Sequence, residues 1–138
     1  MIAYVDASVI LRLVLGESGL LAEWSSISDG FTSELAEVEC LRTLDRLRLR
    51  GALGDEELAT RRAAVFDVLD ELTVAAVTRP ILTRAAQAFP TPLGTLDAIH
   101  LATALLMKGS TSSPLSFATH DQALALAARS CGFSILGQ

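Results

Sequence analysis

The chain has 138 residues and a mass of 14.6 kDa, with 51% apolar positions and a mean hydropathy of +0.44. That length suits a single domain over residues 1–138, and the apolar fraction supplies a core, which excludes a disordered or linker-type protein. Eleven basic against sixteen acidic residues leave a net charge of −5 and a pI near 4.9, which argues against a protein whose main task is to coat nucleic acid.

Asp6, Arg12 and Glu17 interrupt the N-terminal stretch, so no secretory signal is read there. No apolar run approaches the ~20 residues that span a bilayer. A soluble, cytoplasmic protein without membrane contact is expected. Cys40 and Cys131 lie far apart, with no Cys-x-x-Cys and no histidine at zinc spacing, so neither a disulfide scaffold nor a structural zinc site is expected.

Short β-like runs alternate with longer helical ones, the pattern of a parallel sheet covered on both faces. Residues 2–5 form the first strand candidate. A helix follows over 7–15, ended near Gly16, and residues 20–25 suggest a second short helix. A weak strand over 30–32 leads to Ser33, which suits the N-cap of a helix running to about Arg50. Gly51 and Gly54 punctuate, and Asp55 opens a long helix through Leu69. Residues 73–77 are β-branched and apolar and read as a central strand.

Residues 79–88 look helical, with Pro80 tolerated in the first turn. Pro90, Pro92 and Gly94 make 89–94 a loop. Thr95 is expected to cap a strongly apolar helix over 96–107, and 108–114 a polar loop. A fourth strand over 115–118, a helix over 121–130 closed by Gly132, and a last strand over 133–136 complete the chain.

Three aspartates hold equivalent places in this pattern. Asp6 ends the first strand, Asp97 lies in the first turn of the apolar helix, and Asp121 follows the fourth strand. In a parallel sheet, strand C-termini and the helix N-termini after them share one edge, where ligands bind. Each aspartate alone also suits a helix cap. Glu39 lies well inside its helix, so capping does not explain it. Either it is solvated beside Arg42 and Thr43, or it points into a partly buried rim with Leu35 and Ala36. Four carboxylates at one edge repel in a low-dielectric cleft unless a divalent cation neutralises them. All-oxygen donors favour Mg²⁺ or Mn²⁺ that keeps several waters. Such a site orients and activates a water against a phosphodiester and stabilises the leaving 3′ oxygen, without a histidine, serine or cysteine nucleophile.

The residues carrying these acids resemble a known family. Tyr4-Val5-Asp6-Ala7-Ser8-Val9-Ile10-Leu11 resembles the opening motif of PIN-domain ribonucleases, and Ser33 with Glu39 and Leu41-Arg42 is similar to the second motif. Leu96-Asp97-Ala98-Ile99-His100-Leu101-Ala102-Thr103-Ala104 matches the most specific signature nearly letter for letter. Phe117-Ala118-Thr119-His120-Asp121, an alanine-rich helix and Gly132-Phe133 resemble the closing motif.

The resemblance implies a three-layer α/β/α sandwich around a parallel sheet of about five strands. It also implies a metal-dependent endoribonuclease, the VapC-type toxin of a type II toxin–antitoxin pair. On that resemblance Asp6, Glu39, Asp97 and Asp121 are the catalytic acids. Asp6, Asp97 and Asp121 hold Mg²⁺ or Mn²⁺, Glu39 positions or deprotonates the attacking water, and Ser8 and Thr119 support the carboxylates. A homodimer and a VapB-like antitoxin that covers the groove are implied as well, with Leu13, Leu15, Leu20, Leu21 and Trp24 as exposed apolar contacts for either.

Ten of the eleven basic residues are arginine. Arg42, Arg46 and Arg50 recur at i+4, so they make either a stripe tracking an RNA backbone or a solvated helix face. His120 departs from the usual residue before the last aspartate, and reads as either an RNA contact or plain surface structure. His100 reads as a core histidine bonded to backbone.

The alternative function is a non-catalytic PIN-fold module that binds RNA or protein, against which the retained acids speak. A receiver domain fits poorly, because strand one ends in a single aspartate and Lys108 is the only lysine. A haloacid-dehalogenase-type phosphatase fits poorly too, because Asp6-Ala7-Ser8 lacks the Asp-x-Asp pair.

Overall fold

The computed structural model describes residues 1–138. Strands β1 (Ile2–Val5), β2 (Asp29–Ser33), β3 (Thr73–Ala75), β4 (Leu115–Ala118) and β5 (Ser134–Leu136) form one sheet in the order β3-β2-β1-β4-β5. Every pairing is parallel. The helices are α1 (Ala7–Leu15), α2 (Glu34–Leu49), α3 (Asp55–Asp70), α4 (Arg79–Ala85), α5 (Thr95–Ser110) and α6 (Gln122–Ser130).

Two separate cores show the three layers. Strand alternation sends Val5 and Ala118 to one face, where they meet Val9, Ile10, Cys40, Leu44 and Val65 from α1, α2 and α3. Tyr4, Leu115 and Phe117 point to the other face and meet Leu101, Leu124 and Ala127 from α5 and α6. Tyr4 and Phe117 sit opposite each other in the register, with their rings stacked at 5.1 Å between centroids. A pair of this kind adds ~0.5–1.5 kcal/mol beyond the area it buries. Alanines at 98, 102 and 104 let α5 lie close to its neighbours, so these three, His100, Leu101 and Thr103 are all buried.

The helix ends show why the chain turns where it does. Asp6 accepts from the Ser8 and Val9 amides at the start of α1, and Gly16 ends that helix in the left-handed conformation with φ 66°. The Ser33 hydroxyl accepts from the Leu35 amide at 3.1 Å, as expected for the cap of α2. Asp55, Glu56 and Glu57 fill the first turn of α3, where the helix dipole favours them.

Several sequence expectations change. Residues 73–77 do not form a central strand; β3 ends at Ala75 and is an edge strand, paired only with β2, and Val74 is 40% exposed. β-branched residues favour a strand at an edge as well as at a centre, so composition did not locate it. Thr95 is the first residue of α5, not its cap; Gly94 holds that position and no side chain caps the helix. Residues 20–25 supply only a short 3-10 turn at Trp24–Ser26, and α5 runs on to Ser110. Of the five apolar residues expected at the surface, only Leu20 is exposed; Leu21 is buried, and Leu13, Leu15 and Trp24 pack against the first core. No helix is long and apolar enough to cross a membrane.

Candidate functional site

The sheet order reverses at β1, because the chain leaves it toward β2 and β3 and later returns to its other side as β4. Helices that depart on opposite sides of such a point open a crevice beyond the strand C-termini. Asp6 follows β1 and Asp121 follows β4, so both flank this crevice. The first turn of α5 brings Asp97, and the middle of α2 brings Glu39. All four carboxylates line one cleft of about 360 Å³, together with Ser8, Arg42, Arg46, His100, Leu96 and Val38.

Asp6 is the most deeply held of the four, at 5% exposure. Its Oδ1 accepts from the Ser8 hydroxyl at 2.6 Å and from the Ser8 amide at 3.1 Å, and its Oδ2 accepts from the Thr119 hydroxyl at 2.8 Å. Thr119 Oγ1 in turn accepts from the Asp121 amide at 3.0 Å, and Ser8 Oγ accepts from the His120 amide at 2.9 Å. Ser8 and Thr119 therefore tie the ends of β1 and β4 together through Asp6. Asp121 caps α6, accepting from the Leu124 amide at 2.9 Å, and its side chain stands at the exposed rim. Capping and membership of the cleft are compatible for both residues, because a carboxylate that accepts amides from one helix keeps lone pairs for another partner.

The electrostatics differ from those of a paired network. Burial raises the Asp6 carboxyl above its ordinary range, against the lowering effect of Ser8, His100, Thr119 and Val9. Burial also pushes Asp97 up to about 6, with the charges of Asp121 and Asp6 adding to it and Glu39 adding less. No lysine, arginine or histidine lies within ion-pair distance of Asp6, Asp97 or Asp121; the arginine pairs on α2 both go to Asp45. Three aspartates without a basic partner, one of them raised by the charges of the other two, give the cleft the charge to attract a cation.

No three of these side chains converge into a ready-made cage for an ion. A cation held by this arrangement would take one or two carboxylates directly and complete its shell with water. The oxygen-only donors at the cleft fit a hard ion.

Glu39 is neither free in solvent nor paired with Arg42 or Thr43. It is half-buried, and its Oε1 meets Nε2 of His100, while Nδ1 of the same ring lies 2.7 Å from the Tyr4 hydroxyl. His100 therefore bonds two side chains, and the expectation of a backbone partner is corrected. The signal was present in the sequence: Asp97 and His100 are three apart on one helix and so share a face.

Of the residues considered for RNA contact, Arg42 and Arg46 line the acidic cleft, whereas Arg50 lies past the end of α2. His120 is half-buried, its Nδ1 2.9 Å from the Gly137 carbonyl, and it lines a shallower cleft shared with Ser8, Thr43 and Asp121.

A parallel α/β/α domain whose switch point is lined by mutually repelling carboxylates defines the class of protein. The model of the PIN domain matches residues 3–129, and the chain belongs to that family. It is 31% identical over 137 residues to ribonuclease VapC47 of Mycobacterium tuberculosis, an alignment that covers 94% of this chain and 92% of the relative. The fold is also that of FitAcB from Neisseria gonorrhoeae, with a TM-score of 0.74 and 16% identity over 97% of this chain and 96% of that one. A toxin–antitoxin complex from Klebsiella pneumoniae matches with a TM-score of 0.64 and 17% identity, covering 89% and 90%. The α/β/α sandwich with five parallel strands expected from the sequence is the fold observed.

Proposed function

We propose that the chain is a cytoplasmic, Mg²⁺- or Mn²⁺-dependent endoribonuclease of one domain, the toxin of a VapBC-type pair. The observation that carries this reading is the cleft in which Asp6, Glu39, Asp97 and Asp121 meet without a basic counterpart to the three aspartates. The 31% identity to a VapC ribonuclease supports the substrate class, and the likeness to a toxin–antitoxin complex supports the antitoxin partner. A homodimer is the assembly that the family resemblance implies.

Asp6 and Asp97 would hold the cation most directly, and Asp121 would bind it directly or through water. When bound, the ion supplies positive charge to the scissile phosphate and makes the attacking water more acidic. Ser8 and Thr119 fix the orientation of the Asp6 carboxylate by donating to opposite oxygens. Glu39 takes the proton of the attacking water at Oε2, because Oε1 is engaged by His100. Attack at phosphorus breaks the bond to the 3′ oxygen, leaving a 3′ hydroxyl and a 5′ phosphate. Arg42 and Arg46 supply positive charge on one wall of the same cleft, suited to the phosphates that flank the cut. His120 lines a neighbouring, shallower cleft with Ser8 and Asp121, close enough to the acids to serve as a further RNA contact.

The test is cleavage of total RNA with Mn²⁺ by the wild type, Asp6→Asn and Asp97→Asn. Cleavage by the wild type alone supports the assignment. Equal cleavage by all three proteins favours contamination or a binding module, and defeats it.

A further inference from the structure

His100 is 1% exposed, and each of its ring nitrogens meets a side chain from a different element. An ionised carboxylate only accepts hydrogen bonds, so the ring donates from Nε2 to Glu39 Oε1. In the neutral ring Nδ1 is then the acceptor, and the Tyr4 hydroxyl, 2.7 Å away, is the donor that fills it. The chain of hydrogen bonds runs from Tyr4 on β1, buried in the core, through His100 on α5 to Glu39 on α2, the last two lining the cleft.

Glu39 needs such an anchor. It sits mid-helix on a flexible side chain, and the cation one turn along, Arg42, is drawn instead toward Asp45 at 3.6 Å. Asp97 and His100 share a face of α5, so the helix that brings an acid to the cation also fixes the residue opposite it.

We propose that His100 is the positioning residue for Glu39: its Nε2–H, held in that tautomer by the Tyr4 hydroxyl, fixes Oε1 and leaves Oε2 for the attacking water. The inference rests on the ribonuclease reading above and adds to it a residue outside the acidic set.

The experiment measures kcat and KM with Mn²⁺ on a single-stranded oligonucleotide that the wild type cuts, for His100→Ala, His100→Gln, Tyr4→Phe, Glu39→Gln and the His100→Ala/Glu39→Gln pair. His100→Ala is expected to lower kcat by about tenfold to a hundredfold with KM within about twofold. Gln at this position offers an amide nitrogen near that of Nε2 and is expected to restore most of the loss. Once Glu39 is Gln, removing the imidazole is expected to cost less than about a further twofold, because the two residues act as one unit. Additive losses, a loss in KM alone, or an unchanged kcat overturn the proposal.

Nitrogen-15 spectra of the wild-type ring give a second readout that does not depend on turnover or on the folding of the alanine variant. A proton on Nε2 whose resonance moves in Glu39→Gln supports the contact. A proton on Nδ1 with Nε2 bare overturns it. A wild type that cleaves no RNA removes the ribonuclease reading and His100's part in turnover, while the spectra still decide the contact.

Discussion

Two hollows in this molecule differ in an instructive way. The larger, about 700 Å³, lies between α4, the segment after it and the start of α5, lined by Leu82, Phe89, Pro90, Leu93 and Ile99, and holds no ionisable side chain. The smaller, about 360 Å³, sits at the sheet's switch point and gathers four carboxylates, two arginines and a histidine. Volume alone ranks them in the wrong order for chemistry. Four acids converge there from four elements, and two of them, Asp6 and Asp97, are held above the ordinary carboxylate range, which marks the smaller hollow as the candidate site.

The sharpest way to break this contrast is to substitute in each hollow and compare RNA cleavage. Asp97→Asn is expected to lower cleavage by at least about a hundredfold, whereas Leu82→Ser in the larger hollow is expected to leave it within about twofold. Comparable losses from both would erase the distinction. Ser8→Ala removes one of the hydroxyls that steady Asp6 and is expected to cost about tenfold in cleavage, measured at saturating Mn²⁺. Arg46→Ala is expected to weaken RNA binding across sequences alike and to reduce the slope of log affinity against log salt by about 1.

The smallest effect is on stability, and its sign follows from Asp97. Its carboxyl is pushed up to about 6 in the folded protein, from 3.8 in an unstructured chain. The folded state therefore binds the extra proton, and the metal-free protein loses stability as pH rises from about 4 through 6. Asp6, raised by burial, acts in the same direction. Asp97→Asn removes part of this cost and is expected to raise the melting temperature at pH 7 in EDTA by about 2–5 °C, while flattening its pH dependence. A melting temperature that falls on this substitution would show that the carboxylate is stabilising and not repelled.

Much of this molecule was legible in its sequence because the signals are local. The Asp6 cap, the Ser33 cap, Gly16 and the alternation within β1 and β4 each rest on residues a few positions apart. The three aspartates were legible as a group because parallel topology sends every strand C-terminus to one edge, so their equivalent places in the pattern implied convergence. What escaped was order across the sheet and side-chain reach. Nothing within residues 73–77 states which strand will pair on their far side, so an edge strand was read as a central one. The partner of Glu39 lies 61 residues away, and a solvated pairing with nearby Arg42 was the local alternative. The buried Leu21 shows the same limit: its neighbours in sequence are polar or exposed, while its packing partners come from other elements.

The acid cleft's affinity for a dication is best measured by calorimetric titration of Mn²⁺ into the wild type and Asp97→Asn at pH 6, in two buffers of different ionisation enthalpy. The wild type is expected to bind the ion and release a fraction of a proton, because Asp97 must deprotonate to face it. Asp97→Asn is expected to bind at least about tenfold more weakly, without that release. Equal affinity in both proteins, with no proton released by either, would contradict a cation site built on these carboxylates.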